Sequence, residues 1–223
     1  MSSIKDNLDG LLSRIPAGVQ LVAVSKFHPL ENILEAYAVG QRVFAESRPQ
    51  ELASKVEALD KAAYPGLEWH FIGHLQTNKL KMVLPYVSLV QSVDSLHLLQ
   101  EIQKWGKAND KVIPVLLELH IGAEETKQGF HEEEVLDILF DSDRYTNIEF
   151  RGLMGMASHT DDESVIDADF ARIDSFMAYL VDLFPELAEF RQLSIGMSDD
   201  WPIAVRHGAT MVRIGTAIFG PRS

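Results

Sequence analysis

Short apolar runs recur along this chain, each followed by a stretch with helical spacing, and that alternation leaves few ways to fold. After a leading helix expected over about Ile4 to Arg14, the runs fall near Gln20–Val24, Val43–Ala45, Glu68–Ile72, Ser88–Gln91, Val112–Leu119, Ile148–Leu153, Gln192–Ile195 and Met211–Ile214. Between them, Leu96, Leu99, Ile102 and Trp105 recur about one turn apart, with Asp94 or Ser95 placed to cap that helix. Phe170, Ile173, Met177, Leu180 and Phe184 share a face over Asp169–Phe184. Ala36–Val39 ends at Gly40, a suitable C-cap, and Glu132–Leu139 opens with acids that suit a helix N-terminus. Strand–helix alternation calls for a parallel sheet with right-handed crossovers, and eight strands close it as a single (β/α)8 TIM-type barrel with an additional N-terminal helix. An open doubly wound sheet is the weaker alternative, because no Gly-x-Gly-x-x-Gly turn follows the first run. No linker or low-complexity tract interrupts residues 1–223, so one domain is expected.

Closure of the barrel brings the two ends of the sequence together. The eighth strand lies beside the first, so Lys26, which ends the run Leu21-Val22-Ala23-Val24-Ser25-Lys26, is expected at the same rim as Gly215. Barrels of this type carry their sites at the C-terminal rim, and phosphates often bind the loops after strands 7 and 8. Gly196-Met197-Ser198 and Gly215-Thr216 fall in those two loops. Glycines let backbone N–H groups approach an anion, Ser198 and Thr216 add hydroxyl donors, and a short following helix would turn its positive end toward a phosphate. Lys26 is an amine able to condense with an aldehyde. Arg213 lies two residues before Gly215, so strand alternation puts it on the same inward face. An aldehyde carrying a phosphate is the implied ligand, and pyridoxal 5'-phosphate fits. Taken singly, Lys26 would read as a solvated charge and Arg213 as half of a salt bridge; their joint placement raises both.

Composition narrows the partners. A formal net charge of −13 repels nucleic acid and anionic membranes, while 46% hydrophobic content suffices for a sizeable core. The chain has no cysteine, which removes disulfides and thiolate chemistry and suits a reducing cytoplasm. Met1 to Arg14 has no long apolar stretch, and no run approaches the roughly 18–20 residues of a membrane span, so neither a secretory signal nor a membrane anchor is expected.

Several longer blocks then point to a family. They are the run ending at Lys26, Phe44-Ala45-Glu46-Ser47-Arg48-Pro49-Gln50-Glu51 and Trp69-His70-Phe71-Ile72-Gly73-His74-Leu75-Gln76-Thr77-Asn78-Lys79. Four more follow: Glu125-Thr126-Lys127-Gln128-Gly129, Gly152-Leu153-Met154-Gly155-Met156, Gly196-Met197-Ser198-Asp199-Asp200, and Val212-Arg213-Ile214-Gly215-Thr216-Ala217-Ile218-Phe219-Gly220. In content and order these resemble the pyridoxal phosphate homeostasis protein family and, more distantly, the N-terminal barrel of alanine racemase. The resemblance implies that Lys26 holds the cofactor as a Schiff base and that Ser198, Gly215 and Thr216 hold its phosphate, with Met197 in the same loop. It also implies that Arg213 faces the pyridine nitrogen, which makes the ring a weaker electron sink than an acid there would. The family pattern carries Asn where this chain has Ser47, and commonly where it has His120, so the wall contacting the ring is expected to differ.

Other constellations have plainer readings. His70 and His74 are four apart but span a strand end and a glycine, so a hydrogen-bonding or structural role is expected, and no metal site. Asn78, Lys79 and Lys81 read as the solvated start of a helix, and Glu132-Glu133-Glu134 and Asp161-Asp162-Glu163 as solvated faces. Asp199-Asp200 are placed to open the helix after strand 7, and Trp69 and Trp105 to pack.

Three functions compete: a non-catalytic carrier that buffers pyridoxal phosphate and delivers it to apo-enzymes, an amino-acid racemase or related enzyme, and a barrel binding another phosphorylated metabolite. Racemisation needs a proton donor on the face opposite the lysine; in alanine racemase a second domain supplies it across a dimer. This sequence ends at Ser223, so the carrier, as a cytoplasmic monomer, is the expectation.

Overall fold

Parallel pairing closes the sheet on itself, each strand beside its sequence neighbour and the eighth beside the first. The computed structural model describes residues 3–60, 62–123 and 128–221. In chain order the elements are α1 (Ile4–Leu12), β1 (Gln20–Val24), α2 (Leu30–Ala38), β2 (Val43–Glu46), α3 (Pro49–Ala58), β3 (Glu68–Phe71) and, after a short turn, α4 (Leu80–Val83). They continue with β4 (Leu89–Val93), α5 (Leu96–Ala108), β5 (Ile113–Leu119), α6 (Glu132–Phe140), β6 (Ile148–Gly155), α7 (Glu163–Leu183), β7 (Gln192–Ser194), α8 (Trp201–Arg206), β8 (Met211–Ile214) and α9 (Thr216–Phe219). The expected barrel with an additional N-terminal helix is the fold observed.

Side-chain alternation divides the buried residues into two layers. Val22, Val24, Val43, Ala45, Leu89, Leu116, Met154 and Met211 fill the interior of the barrel. A larger ring of apolar residues, including Phe44, Leu52, Phe71, Phe170 and Ile214, lies between the strands and the helices. The register of the closing pair sets Val22 opposite Arg213 and Ala23 opposite Ile214. Lys26 continues the inward series of Val22 and Val24, and Gly215 that of Met211 and Arg213, which is how the two chain ends meet at one rim.

Several boundaries differ from the pattern-based expectation. α7 begins at Glu163, ahead of Asp169, because Asp162 caps it: its carboxylate accepts the Ser164 N–H at 2.9 Å. Asp162, exposed to solvent as expected, therefore also opens a helix. α2 starts at Leu30, directly after Pro29, a residue that cannot continue a helix backward. β6 runs on to Gly155, where it still pairs with Leu119. At α5 the expected cap is Ser95, whose hydroxyl accepts from the Leu98 N–H. The acids at 132–134 form the first turn of α6, where Glu134 returns to the His131 N–H at 2.8 Å.

The added helix α1 braces the mouth. Leu8 and Leu11 are buried, and the Asn7 side-chain amide donates to the carbonyl of Ile218 in α9 at 2.9 Å.

Candidate functional site

A cavity of about 310 Å³ opens at the C-terminal rim, at the lower end of the roughly 300–1,000 Å³ typical of small-molecule sites. Its lining includes Lys26 from the exit of β1, Met197 and Ser198 from the exit of β7, and Arg213, Gly215 and Thr216 from β8 and its exit. All six residues singled out in the sequence thus border one space. Val24, Ile72, Met154 and Met156 give it an apolar side.

Arg213 is 4% exposed and its guanidinium is fixed by three acceptors. Nη1 donates to the Ser194 carbonyl and hydroxyl, both at 2.7 Å, and Nη2 to the Gly155 carbonyl at 2.9 Å. Burial pushes its pKa down to about 10, opposed by the carboxylates of Glu118 and Asp200, so it stays charged at neutral pH.

From Arg213 a hydrogen-bond chain crosses the barrel. The Ser194 hydroxyl donates to Gln91 Oε1 at 2.7 Å, and the Gln91 amide nitrogen meets His70 Nδ1 at 2.8 Å. With an amide donor on Nδ1, the proton of His70 sits on Nε2. Burial holds this imidazole neutral, with its pKa pushed down to about 4. Glu118 on β5 is pushed the other way, up to about 7, first by burial and then by Asp94, against the pull of Arg213 and His74. His74 itself pairs with Asp94 through Nδ1 at 2.8 Å. Both histidines therefore take hydrogen-bonding roles. Among the described residues no group of three or more His, Cys, Asp or Glu is placed to hold a metal.

The last two strand exits are shaped by main chain. Gly196 has φ +88°, and its carbonyl accepts the Arg213 N–H at 2.9 Å. A Cβ there would come within 2.6 Å of the Ala204 Cβ, so only glycine fits the close approach of α8. A Cβ on Gly215 would lie 2.9 Å from the Val24 carbonyl oxygen, which explains how β8 presses against the end of β1. Asp200 opens α8, as its position suggested, and its carboxylate accepts the Met197 N–H. That N–H is therefore committed within the loop, and Met197 offers the cavity its side chain, 40% exposed.

Seven further lining residues were not among the site candidates read from the sequence: Val24, His28, Ile72, Met154, Met156, His159 and Asp199. His28 is buried and its ring lies 5.1 Å from that of Phe219 in α9. Its position two residues after Lys26 was the available signal, and for Met154 it was the Gly152–Met156 block; His159 is brought in only by the fold. Ser47 and His120, where the family pattern favours Asn, do not line this cavity. Ser47 lies under Gly73, and His120 packs edge-on to His131 at 5.8 Å. Residues 125–127 of the fourth block lie outside the described residues. Trp69 is buried in the core and Trp105 packs against it.

The donors suit an anion bearing a reactive carbonyl. The lining combines an amine, two hydroxyls and a buried guanidinium with valine, isoleucine and methionine side chains, a mixture that fits a flat ring with a charged tail. Among the described residues no helix is long and apolar enough to cross a membrane.

Similarity to known proteins extends over the whole chain. The family described as alanine racemase, N-terminal domain, matches residues 1–223. The pyridoxal phosphate homeostasis protein of Vibrio alginolyticus is 37% identical, the match covering 100% of this chain and 99% of the relative. Two solved structures of PipY from Synechococcus elongatus, one without PLP and one with PLP bound, are similar with TM-scores of 0.92 and 0.88. Their identities are 36% and 35%, and each match covers 98% of this chain and 100% of theirs. Alanine racemase from E. faecalis shares the fold, with a TM-score of 0.76 at 18% identity, over 98% of this chain and 57% of that one. The chain belongs to the alanine racemase N-terminal domain family and, within that fold, to the pyridoxal phosphate homeostasis proteins.

Proposed function

We propose that this protein binds pyridoxal phosphate and serves its homeostasis, holding the cofactor on Lys26, buffering the free aldehyde and delivering it to apo-enzymes as a cytoplasmic monomer. The observation that carries this reading is the convergence of Lys26 with Ser198, Arg213, Gly215 and Thr216 on one cavity, from opposite ends of the sequence. The names of its relatives and the PLP-bound PipY structure support the same ligand. When bound, the cofactor supplies an aldehyde that condenses with a primary amine, releasing water, and a phosphate that needs donors.

The residues divide the work. Lys26 holds the aldehyde end. Ser198, Thr216 and the backbone at Gly215 would hold the anionic end, with Met197 beside them in the lining. Arg213, held in place by Ser194 and Gly155 and favoured as a cation by the carboxylates of Glu118 and Asp200, would face the ring nitrogen and disfavour its protonation. An arginine in that place limits carbanion chemistry, which favours storage over turnover.

Racemisation is the second reading, favoured by the fold shared with alanine racemase. It calls for a proton donor opposite Lys26; among the described lining residues there is no tyrosine, and His28 and His159 are the side chains that would have to serve. Titration of the purified protein with PLP, followed by gel filtration, tests the proposal. A visible absorption band retained at one equivalent is expected, with no inversion of L- or D-alanine. A protein that stays colourless in excess PLP overturns it, and steady stereospecific turnover replaces it with the racemase.

A further inference from the structure

Lys26 follows a serine and precedes a phenylalanine whose backbone is left-handed, with φ +67°. A bulky residue adopts that conformation only where its surroundings impose it. Here the surroundings are ionic. Lys55 of α3, with its side chain 8% exposed, donates to Glu46 Oε1 at 2.6 Å and to Glu51 Oε1 at 2.7 Å. Its third bond, at 2.9 Å, goes to the carbonyl of Ser25. The Ser25 hydroxyl donates to the same Glu46 oxygen at 2.6 Å, and the Phe27 N–H donates to the same Glu51 oxygen at 2.7 Å. Arg48 lies over the Phe27 ring at 4.3 Å. Both chain neighbours of Lys26 are thus fastened to one buried cluster of a lysine and two glutamates.

Buried ion pairs often contribute little net stability compared with apolar packing of equal volume, so their presence calls for a geometric reason. The hydrogen bonds supply one. Besides pairing with each other, these charged groups hold the hydroxyl and carbonyl of residue 25 and the N–H of residue 27. No part of the cluster lines the cavity.

We propose that Lys55, Glu46 and Glu51 are positioning residues for Lys26: they impose the left-handed turn at Phe27 and so aim the Lys26 amine into the cavity. This rests on the reading of Lys26 as the residue that holds pyridoxal phosphate. The cluster acts on the covalent end of the site only and leaves the anion grip of the β7 and β8 exits untouched.

Two probes separate those ends: PLP, whose aldehyde reacts with the amine, and pyridoxine 5'-phosphate, which keeps ring and phosphate but has no aldehyde. Glu51→Gln is expected to slow covalent capture of PLP by about tenfold or more, while affinity for pyridoxine 5'-phosphate stays within about twofold of the parent chain. Glycine enters the left-handed region without help. In a Phe27→Gly background the Glu51→Gln effect is therefore expected to shrink below about threefold. Parental capture rates in folded Glu51→Gln, equal losses for both probes, or an undiminished effect in the glycine background would each overturn the proposal. Should Glu51→Gln fail to fold by circular dichroism, Ser25→Ala, which keeps every charge, takes its place. Slower capture with unchanged pyridoxine 5'-phosphate affinity then supports the proposal, and unchanged capture overturns it. A parent chain that captures no PLP would instead defeat the functional reading itself.

Discussion

At the exit of β1, Lys26 stands between residues tied down by Lys55, Glu46 and Glu51, whereas at the exits of β7 and β8 the chain is shaped by Gly196, Gly215 and main-chain hydrogen bonds. One flank of the mouth is held by charged side chains and the other mainly by glycines and main chain, with the Asp200 carboxylate fixing the Met197 N–H. An amine that must stay aimed requires its backbone fixed from outside, and buried ionic groups do this with directed, strong hydrogen bonds. An anion is gripped by N–H and O–H groups that must come close, and small residues make room for them. The first flank is therefore sensitive to changes of charge, and the second to changes of volume.

The largest effect is expected on the glycine-built flank. Gly196→Ala places a methyl group 2.6 Å from the Ala204 Cβ and 3.0 Å from the Trp201 Cα, at φ +88°. Strain and overpacking together should cost about 3–4 kcal/mol of stability, read by denaturant unfolding. Gly10→Ala in α1, where a Cβ meets nothing, is the control and should be neutral or slightly stabilising. Equal behaviour of the two variants would erase the difference between the flanks.

Between the flanks, His70 and Glu118 give the barrel interior two opposed pH responses. The unfolded chain protonates His70 below about 6.5, but the folded chain only near 4, so the stability of the neutral form is lost as pH falls through that window. Glu118 stays protonated in the folded chain up to about 7 but only to about 4.5 when unfolded, so its contribution is lost as pH rises between those values. Each window corresponds to about 3 kcal/mol at most. His70→Gln should flatten the acid limb of stability against pH, and Glu118→Gln the limb from 4.5 to 7. Unfolding at half-unit pH steps measures both, and parallel curves for parent and variants would show that neither group titrates as described.

A smaller effect isolates the hydroxyls of the proposed anion grip. Ser198→Ala combined with Thr216→Val removes two donors from the glycine-built flank and leaves its backbone in place. Affinity for PLP should fall at least about tenfold, or about 1.4 kcal/mol. Unchanged affinity in an equilibrium titration would place the phosphate elsewhere.

The contrast also explains what could be read from sequence. Strand order, closure and five of the lining residues (Lys26, Ser198, Arg213, Gly215 and Thr216) followed from local patterns: inward alternation along the first and last strands, and glycine beside hydroxyl at 196–198 and 215–216; Met197 came with the family resemblance. The ionic cluster did not, because Ser25, Glu46, Glu51 and Lys55 come from a strand exit, a second strand and a helix. Only Glu51 and Lys55 are joined by a spacing rule, the i,i+4 pairing of one helix face; Ser25 and Glu46 reach them only once the barrel is built. The Ser194–Gln91–His70 chain was hidden likewise, since its members belong to β7, β4 and β3. The early start of α7 was missed for a different reason. A single aspartate cap at 162 outweighed the weak apolar periodicity that follows it.

The central claim is that Lys26 is the amine to which pyridoxal phosphate is attached. Borohydride reduction of the PLP-loaded protein, followed by peptide mass mapping, tests it most directly. The account predicts a phosphopyridoxyl mass on Lys26 at close to one equivalent and its loss in Lys26→Ala. Label on Lys55 or another lysine, with Lys26 unmodified, would contradict it.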